Sequence, residues 1–265
     1  MGEMHHFTYG WLTPVLSFVM ACVGGALGLR CTVRALATTG ATRRNWLVLA
    51  SLAIGSGIWT MHFVAMLGFG VSGSAIRYNV PLTVLSLIVA ILFVGAGVFT
   101  AGYGRSQVRS VLVGGLGTGL GVAAMHYIGM SALRLHGDLG YAPLLVVLSV
   151  LIAVVAATAA LWAALTVRGT TAAVGASLVM GIAVSSMHYT GMAALSVRVA
   201  PGQAPLSGAT ATEFIFPLAV VLGSFLFLTS AFVALSPTAQ QRRESESAVR
   251  RLHDVEAGGV RFPAD

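Results

Sequence analysis

The chain has 265 residues, 57% of them hydrophobic and only 9% charged, with a formal net charge of +7. A soluble domain carries roughly 25% charged residues, so an ordinary cytosolic globule is excluded. The basic balance is all arginine and no lysine, and its placement, described below, points to membrane topology rather than to nucleic acid.

Seven apolar runs reach the roughly 20 residues that a bilayer-spanning helix needs. Residues 1–10 form an N-terminus without the positive region of a cleavable signal, so the first span, 11–29, is expected to stay in the protein. Cys22 and Cys31 follow each other on that helix, about 13 Å apart along the axis. That is too far for a disulfide, which needs Cα atoms within about 7 Å, and Cys22 reads as a small packing residue. Arg30, Arg34, Arg43 and Arg44 separate the first span from the second, 46–69. The third span, 82–103, follows Pro81 and leads through Arg105 and Arg109 into the fourth, 110–133. The fifth, 143–167, starts at Pro143 and is joined through Arg168 to the sixth, 172–195. The seventh, 214–235, holds Pro217 near its start, as Pro14 does in the first. Proline suits a first helical turn, where its missing N–H leaves no hydrogen bond unmade. The tail, 236–265, is short and basic.

Twelve arginines fall on one side of this layout and three, Arg77, Arg134 and Arg198, on the other. Cationic loops are retained in the cytoplasm, so the N-terminus is expected outside and the tail inside. The fold expected is all-α, a polytopic membrane protein of seven transmembrane helices in a single unit, 11–235, with internally repeated helix pairs.

The repeat shows in the second, fourth and sixth spans. They carry Met61-His62-Phe63, Met125-His126-Tyr127 and Met187-His188-Tyr189, each followed by a further methionine, at Met66, Met130 and Met192. Six residues before each leading methionine stand Gly55, Gly119 and Gly181; four before stand Gly57, Gly121 and Ala183; four after stand Ala65, Gly129 and Gly191. Small residues at fixed offsets let membrane helices approach closely. Polar groups at bilayer depth cost roughly 2.5–3.5 kcal/mol when charged and by default mark function. Three histidines at one depth, near the outer ends of their helices, are therefore the candidate site. Each shares a helix face with the methionine four residues later, and the preceding methionine lies on the flank.

Imidazole and thioether without a carboxylate favour copper, Cu(I) above all. Zinc more often recruits cysteine or carboxylate, calcium and magnesium need oxygen ligands, and haem with His/Met or bis-His ligation is the rival. Met4, His5, His6 and His136 are placed to feed or cap the site from the aqueous side. The bland alternatives are methionine as core filler, histidine as interhelical glue and Tyr127 and Tyr189 as interface anchors.

The segments Met125-His126-Tyr127-Ile128-Gly129-Met130 and Met187-His188-Tyr189-Thr190-Gly191-Met192 resemble the MHYT domain, a bacterial integral-membrane sensor module. The resemblance covers about residues 8–200. It implies copper held by the histidines and methionines, sensing of oxygen, carbon monoxide or nitric oxide, and coupling to a cytoplasmic signalling activity. The first motif departs from the pattern, with Phe63 for tyrosine, and the roughly 30 residues after the last span leave no room for a fused output domain.

Absences narrow the field. With no lysine there is no retinal Schiff base. The eight carboxylates all fall outside the predicted hydrocarbon core, which argues against an ion-coupled carrier. The reading is a non-enzymatic sensor in the bacterial cytoplasmic membrane, with copper on His62, His126 and His188 and thioethers drawn from Met61, Met66, Met125, Met130, Met187 and Met192. Its expected partners are the lipid bilayer, a diatomic gas and a separate cytoplasmic signalling protein, with no nucleic acid. The alternative is a membrane carrier or chaperone for copper or haem.

Overall fold

The structure, a computed structural model, describes residues 4–5, 8–166, 170–200, 205–236, 247–250 and 253. Seven helices run α1 (Leu12–Leu36), α2 (Gly40–Leu67), α3 (Val80–Tyr103), α4 (Gln107–Ser131), α5 (Pro143–Thr166), α6 (Thr170–Ala193) and α7 (Phe216–Leu235), the last entered through a π-helical turn at Ala211–Ile215. Each has the length and apolarity to cross a membrane, and large apolar side chains such as Leu92, Val155 and Phe227 face outward. The protein is a multi-pass membrane protein.

α1 departs most from expectation. It continues past residue 29 through Arg30 and Arg34, which therefore sit on helix rather than in a loop. The long arginine side chain makes this possible, because its stem can lie along apolar surface while the guanidinium reaches a polar partner. Arg34 donates to the carbonyls of Val233 (2.6 Å) and Ser236 (2.8 Å), satisfying the C-terminal end of α7. Its guanidinium also stacks 5.1 Å from the Trp46 ring.

α1 to α6 pack in chain order, and α6 packs back on α1, closing a ring; α7 lies against α1 and α2. The repeated glycines explain the ring. A Cβ on Gly55 would stand 2.8 Å from the Ile91 Cα of α3, one on Gly119 would strike the Val154 backbone of α5, and one on Gly181 would meet Cys22 Sγ of α1. Two positions on, Gly57 abuts Gly24 of α1 and Gly121 abuts Phe93 of α3. α2 and α4 thus each turn one glycine to the following helix and a second to the preceding one, and α6 turns one to α1, its next neighbour around the ring. Cys22 and Cys31 are both free thiols.

Six short strands were not anticipated. They are β1 (Met4–His5), β2 (Gly70–Val71), β3 (Arg77–Tyr78), β4 (Leu133–Arg134), β5 (Gly137–Tyr141) and β6 (Leu195–Val199). They pair antiparallel as β1–β2, β3–β4 and β5–β6, with Met4 opposite Val71, Tyr78 opposite Leu133 and Leu139 opposite Val197. Each ladder joins the entry of an odd-numbered helix to the exit of the next even-numbered one, so it zips the open end of one helix pair. Strands of two residues carry no alternation that a sequence could reveal. His6 and most of the tail lie outside the described residues.

Candidate metal centre

α2, α4 and α6 each end five residues after their histidine, which sets the three rings at one level, about 7–8 Å from the helix ends. All three are buried, at 1%, 0% and 1% exposure. His62 Nδ1 lies 2.9 Å from His188 Nδ1 and 3.2 Å from His126 Nδ1. The ring centroids are 4.9–5.3 Å apart and the rings stand nearly perpendicular, at 75–86°. Candidate ligand atoms from the three residues all lie within 4.8 Å of one another, so the buried triad could hold a metal ion.

The small residue four after each leading methionine has a role that the packing argument missed. A Cβ on Gly129 would stand 2.7 Å from His62 Nε2, and one on Gly191 would strike His126 Nε2. These glycines are seats for imidazoles from the preceding motif helix. Ala65 is the equivalent position on α2, and it is buried too.

The donor set fits a cation. An imidazole nitrogen carries either one proton or one in-plane lone pair. His62 Nδ1 touches two other Nδ1 atoms and cannot make a well-formed hydrogen bond to both. Three lone pairs turned to one electrophile resolve the conflict, and nitrogens bound at about 2.0–2.1 Å to one ion stand roughly 3–3.5 Å apart. The protons then sit on Nε2. Those of His62 and His126 are buried with no hydrogen-bond partner, an expense that a purely structural histidine avoids.

Behind the rings, the aromatic residue of each motif packs edge-on against its histidine: Phe63 at 4.6 Å, Tyr127 at 4.8 Å and Tyr189 at 5.0 Å. Tyr127 and Tyr189 are not free interface anchors. Tyr127 Oη lies 2.6 Å from Ser149 Oγ on α5, and Tyr189 interacts with Ser17 on α1. Ser149 Oγ–H is already donated to Val146 O, so the tyrosine is the donor. In the first repeat Trp59 Nε1 donates to Ser86 Oγ of α3 at 2.9 Å, and Ser86 in turn donates to Thr83 O. The indole therefore supplies the proton that Phe63 lacks.

Sequence reasoning overlooked Ser17, Ser86 and Ser149, each completely buried. Their signal was available, since each stands five residues before Cys22, Ile91 and Val154, the residues that meet the repeated glycines. Above the triad, burial pushes the Tyr78 phenol well up from its usual range. Burial, with Tyr127 nearby, also raises that of Tyr141. Both roof tyrosines stay neutral at physiological pH.

The six motif methionines are all buried, at 0–3% exposure, in the same core. Of the aqueous-side candidates, Met4 and His5 belong to the β1–β2 ladder. The backbone N–H of His136 donates to Ser74 Oγ at 2.8 Å.

The family pattern described as MHYT, bacterial signalling protein N terminal repeat, matches residues 55–114, 119–177 and 181–249. Each match begins at one of the helix-packing glycines, Gly55, Gly119 and Gly181. The cyclic di-GMP phosphodiesterase NbdA of Pseudomonas aeruginosa is 35% identical over 253 residues, covering 92% of this chain and 32% of that protein. The bifunctional diguanylate cyclase/cyclic di-GMP phosphodiesterase MucR of the same species is 37% identical over 192 residues, covering 71% and 28%. Signaling protein YkoW of Bacillus subtilis is 33% identical over 202 residues, covering 71% and 24%. The chain therefore spans about a third or less of the length of these relatives. No solved structure matches it.

Proposed function

The chain belongs to the MHYT family of bacterial signalling proteins, and from that premise we propose that it senses a diatomic gas or redox state through copper at the His62–His126–His188 triad. It acts as the membrane input to a cytoplasmic signalling activity, which we assign to another domain or protein, as the cyclase and phosphodiesterase names of its relatives suggest. The observation that carries the reading is the convergence of three buried Nδ1 atoms with two Nε2 atoms left unpartnered.

Copper is preferred for physical reasons. The site is apolar and offers neutral ligands only, so a singly charged ion is least costly to bury. Imidazole with thioether from Met61, Met66, Met125, Met130, Met187 or Met192 suits Cu(I). Haem would fit less well, because imidazole nitrogens 2.9 Å apart leave no space for a macrocycle between them. Bound copper supplies an open-shell or soft centre able to take up oxygen, carbon monoxide or nitric oxide. The protein's own residues hold the ligands in register, exclude water and keep protons on the outer imidazole edges. The arginine-rich helix starts lie at the opposite end from the motifs, which supports an extracytoplasmic site and a cytoplasmic tail. Transmission would run along the glycine seams between helices, as two arrangements of their packing that the metal site biases.

The test is metal analysis of the purified full chain after anaerobic Cu(I) reconstitution, alongside the variant with all three histidines changed to alanine. One copper per wild-type chain and none in the variant is expected. Folded wild-type protein that keeps no copper sinks the reading. Vectorial copper uptake into sealed vesicles would instead favour a carrier.

A further inference from the structure

Directly beneath the triad the bundle holds an apolar cavity, with about 50 Å³ open to the centre of a water-sized sphere. Its upper lining is Ile58, Val122 and Val184, each four residues and so one helical turn below a motif histidine. The next layer is Ile54, Thr118 and Met180, a further turn down. Met187, beside His188, also reaches the lining.

The cavity is where the repeat is left unfilled. Ile91 of α3 and Val154 of α5 are equivalent, since they meet Gly55 and Gly119. Two and three residues further along, α3 carries Phe93 and Val94, whereas α5 carries Ala156 and Ala157, both of which line the space. Interiors are normally close-packed, with few voids larger than a water. Retaining one here, one helical turn below the candidate centre, calls for a use.

Water is a poor occupant. A buried water needs two to four polar partners, and the lining offers two hydroxyls, Thr118 and Thr32, of which Thr32 has already donated its proton to Gly28 O at 2.9 Å. Charged and strongly polar molecules meet nothing that replaces their hydration. Dry apolar cavities of this kind take up xenon and small hydrocarbons.

We propose that this cavity is an antechamber of the triad, a pocket that concentrates a small uncharged diatomic molecule one helical turn beneath the metal. The role of the pocket rests on the copper reading of the triad, while its capacity to bind does not.

Xenon is the probe. The metal-free full chain is exposed to xenon under pressure and followed by xenon NMR or by anomalous scattering from crystals. The variants Ala157→Val, which copies Val94 of the equivalent helix, and Ala157→Leu are compared after their folding is checked by circular dichroism and gel filtration. Xenon is expected in the wild type, reduced in Ala157→Val and absent in Ala157→Leu. In copper-loaded protein, carbon monoxide association should slow at least tenfold in the filled variants with copper content unchanged. No xenon in the wild type, a co-purified acyl chain occupying the space, or unchanged carbon monoxide kinetics in the filled variants overturns the proposal. Xenon binding in a protein that holds no copper would sink the metal reading alone, leaving a gas pocket without its centre.

Discussion

Trp59 donates its indole N–H to Ser86 Oγ at 2.9 Å, where the second repeat has Tyr127 bonded to Ser149 at 2.6 Å. The two donors come from different positions of their helices, yet serve serines that occupy equivalent places on α3 and α5. Both serines have committed their only proton to a backbone carbonyl, so each needs a donor and neither can supply one. The missing hydroxyl of the first motif is thereby compensated within the same repeat.

Removing either donor should cost stability. Tyr127→Phe deletes one buried hydrogen bond and should lose about 1 kcal/mol. Trp59→Phe removes volume as well and should lose more. A double-mutant cycle of Trp59→Phe with Ser86→Ala separates the two effects, with a coupling of roughly 1 kcal/mol expected from thermal or denaturant unfolding in detergent. Adding Phe63→Tyr to Trp59→Phe should recover part of the loss. A cycle with no coupling would show that the indole–serine contact is incidental.

The seats of the imidazoles give a sharper test. Gly129→Ala places a Cβ 2.7 Å from His62 Nε2, so the ring must shift from its place against its two partners. Gly117, on the same helix, has nothing within 4 Å of an added Cβ, and Gly117→Ala should be neutral or stabilising by up to about 1 kcal/mol. Copper affinity measured by competition with a chelator should fall at least tenfold for Gly129→Ala and stay unchanged for Gly117→Ala. Equal affinities would mean that ring position is not what these glycines protect.

Much of this was legible in the sequence because the bilayer leaves few options. Apolar runs of helical length must be helices when no water can satisfy the backbone, and the seven spans follow from that. The triad followed from three motifs in register. The exchange of ring seats was not legible, since Gly129 and Gly57 look alike as letters and differ only in what approaches them. The β ladders were hidden for another reason: their pairing is set by the helix pair already holding both ends together, not by strand propensity. Trp59 and Ser86 stayed invisible because they replace a residue of the motif without occupying its position.

At the arginine-rich end, Arg34 spans α1 and α7 through two carbonyls, 2.6 and 2.8 Å away. Charge-assisted bonds to the last turn of a helix satisfy groups that would otherwise fray. Arg34→Ala should speed hydrogen exchange over residues 230–236 severalfold and leave the exchange of α4 untouched. Arg34→Lys should retain only part of the protection, because both bonds come from the one nitrogen Nη2, which a shorter lysine does not reach from the same place, and an ammonium has no planar face to stack on Trp46. Unchanged exchange in the alanine variant would remove Arg34 from any role in anchoring α7.

The triad itself makes a prediction that separates a ligand site from interhelical glue. If the histidines serve to hold helices together, replacing one by an apolar residue should cost about 1–3 kcal/mol through the partner left unpaired. If they are arranged for an ion, the metal-free triad already carries unsatisfied Nε2 groups on His62 and His126 and a contact of three like nitrogens. Relieving that arrangement should then be close to neutral or stabilising. His126→Leu and His62→Leu, measured without metal, should therefore unfold at or above the wild-type temperature, while copper at about 100 times its dissociation constant should stabilise only the wild type, by roughly 2.7 kcal/mol. A destabilised metal-free leucine variant, together with a wild type indifferent to copper, would return the three histidines to structure.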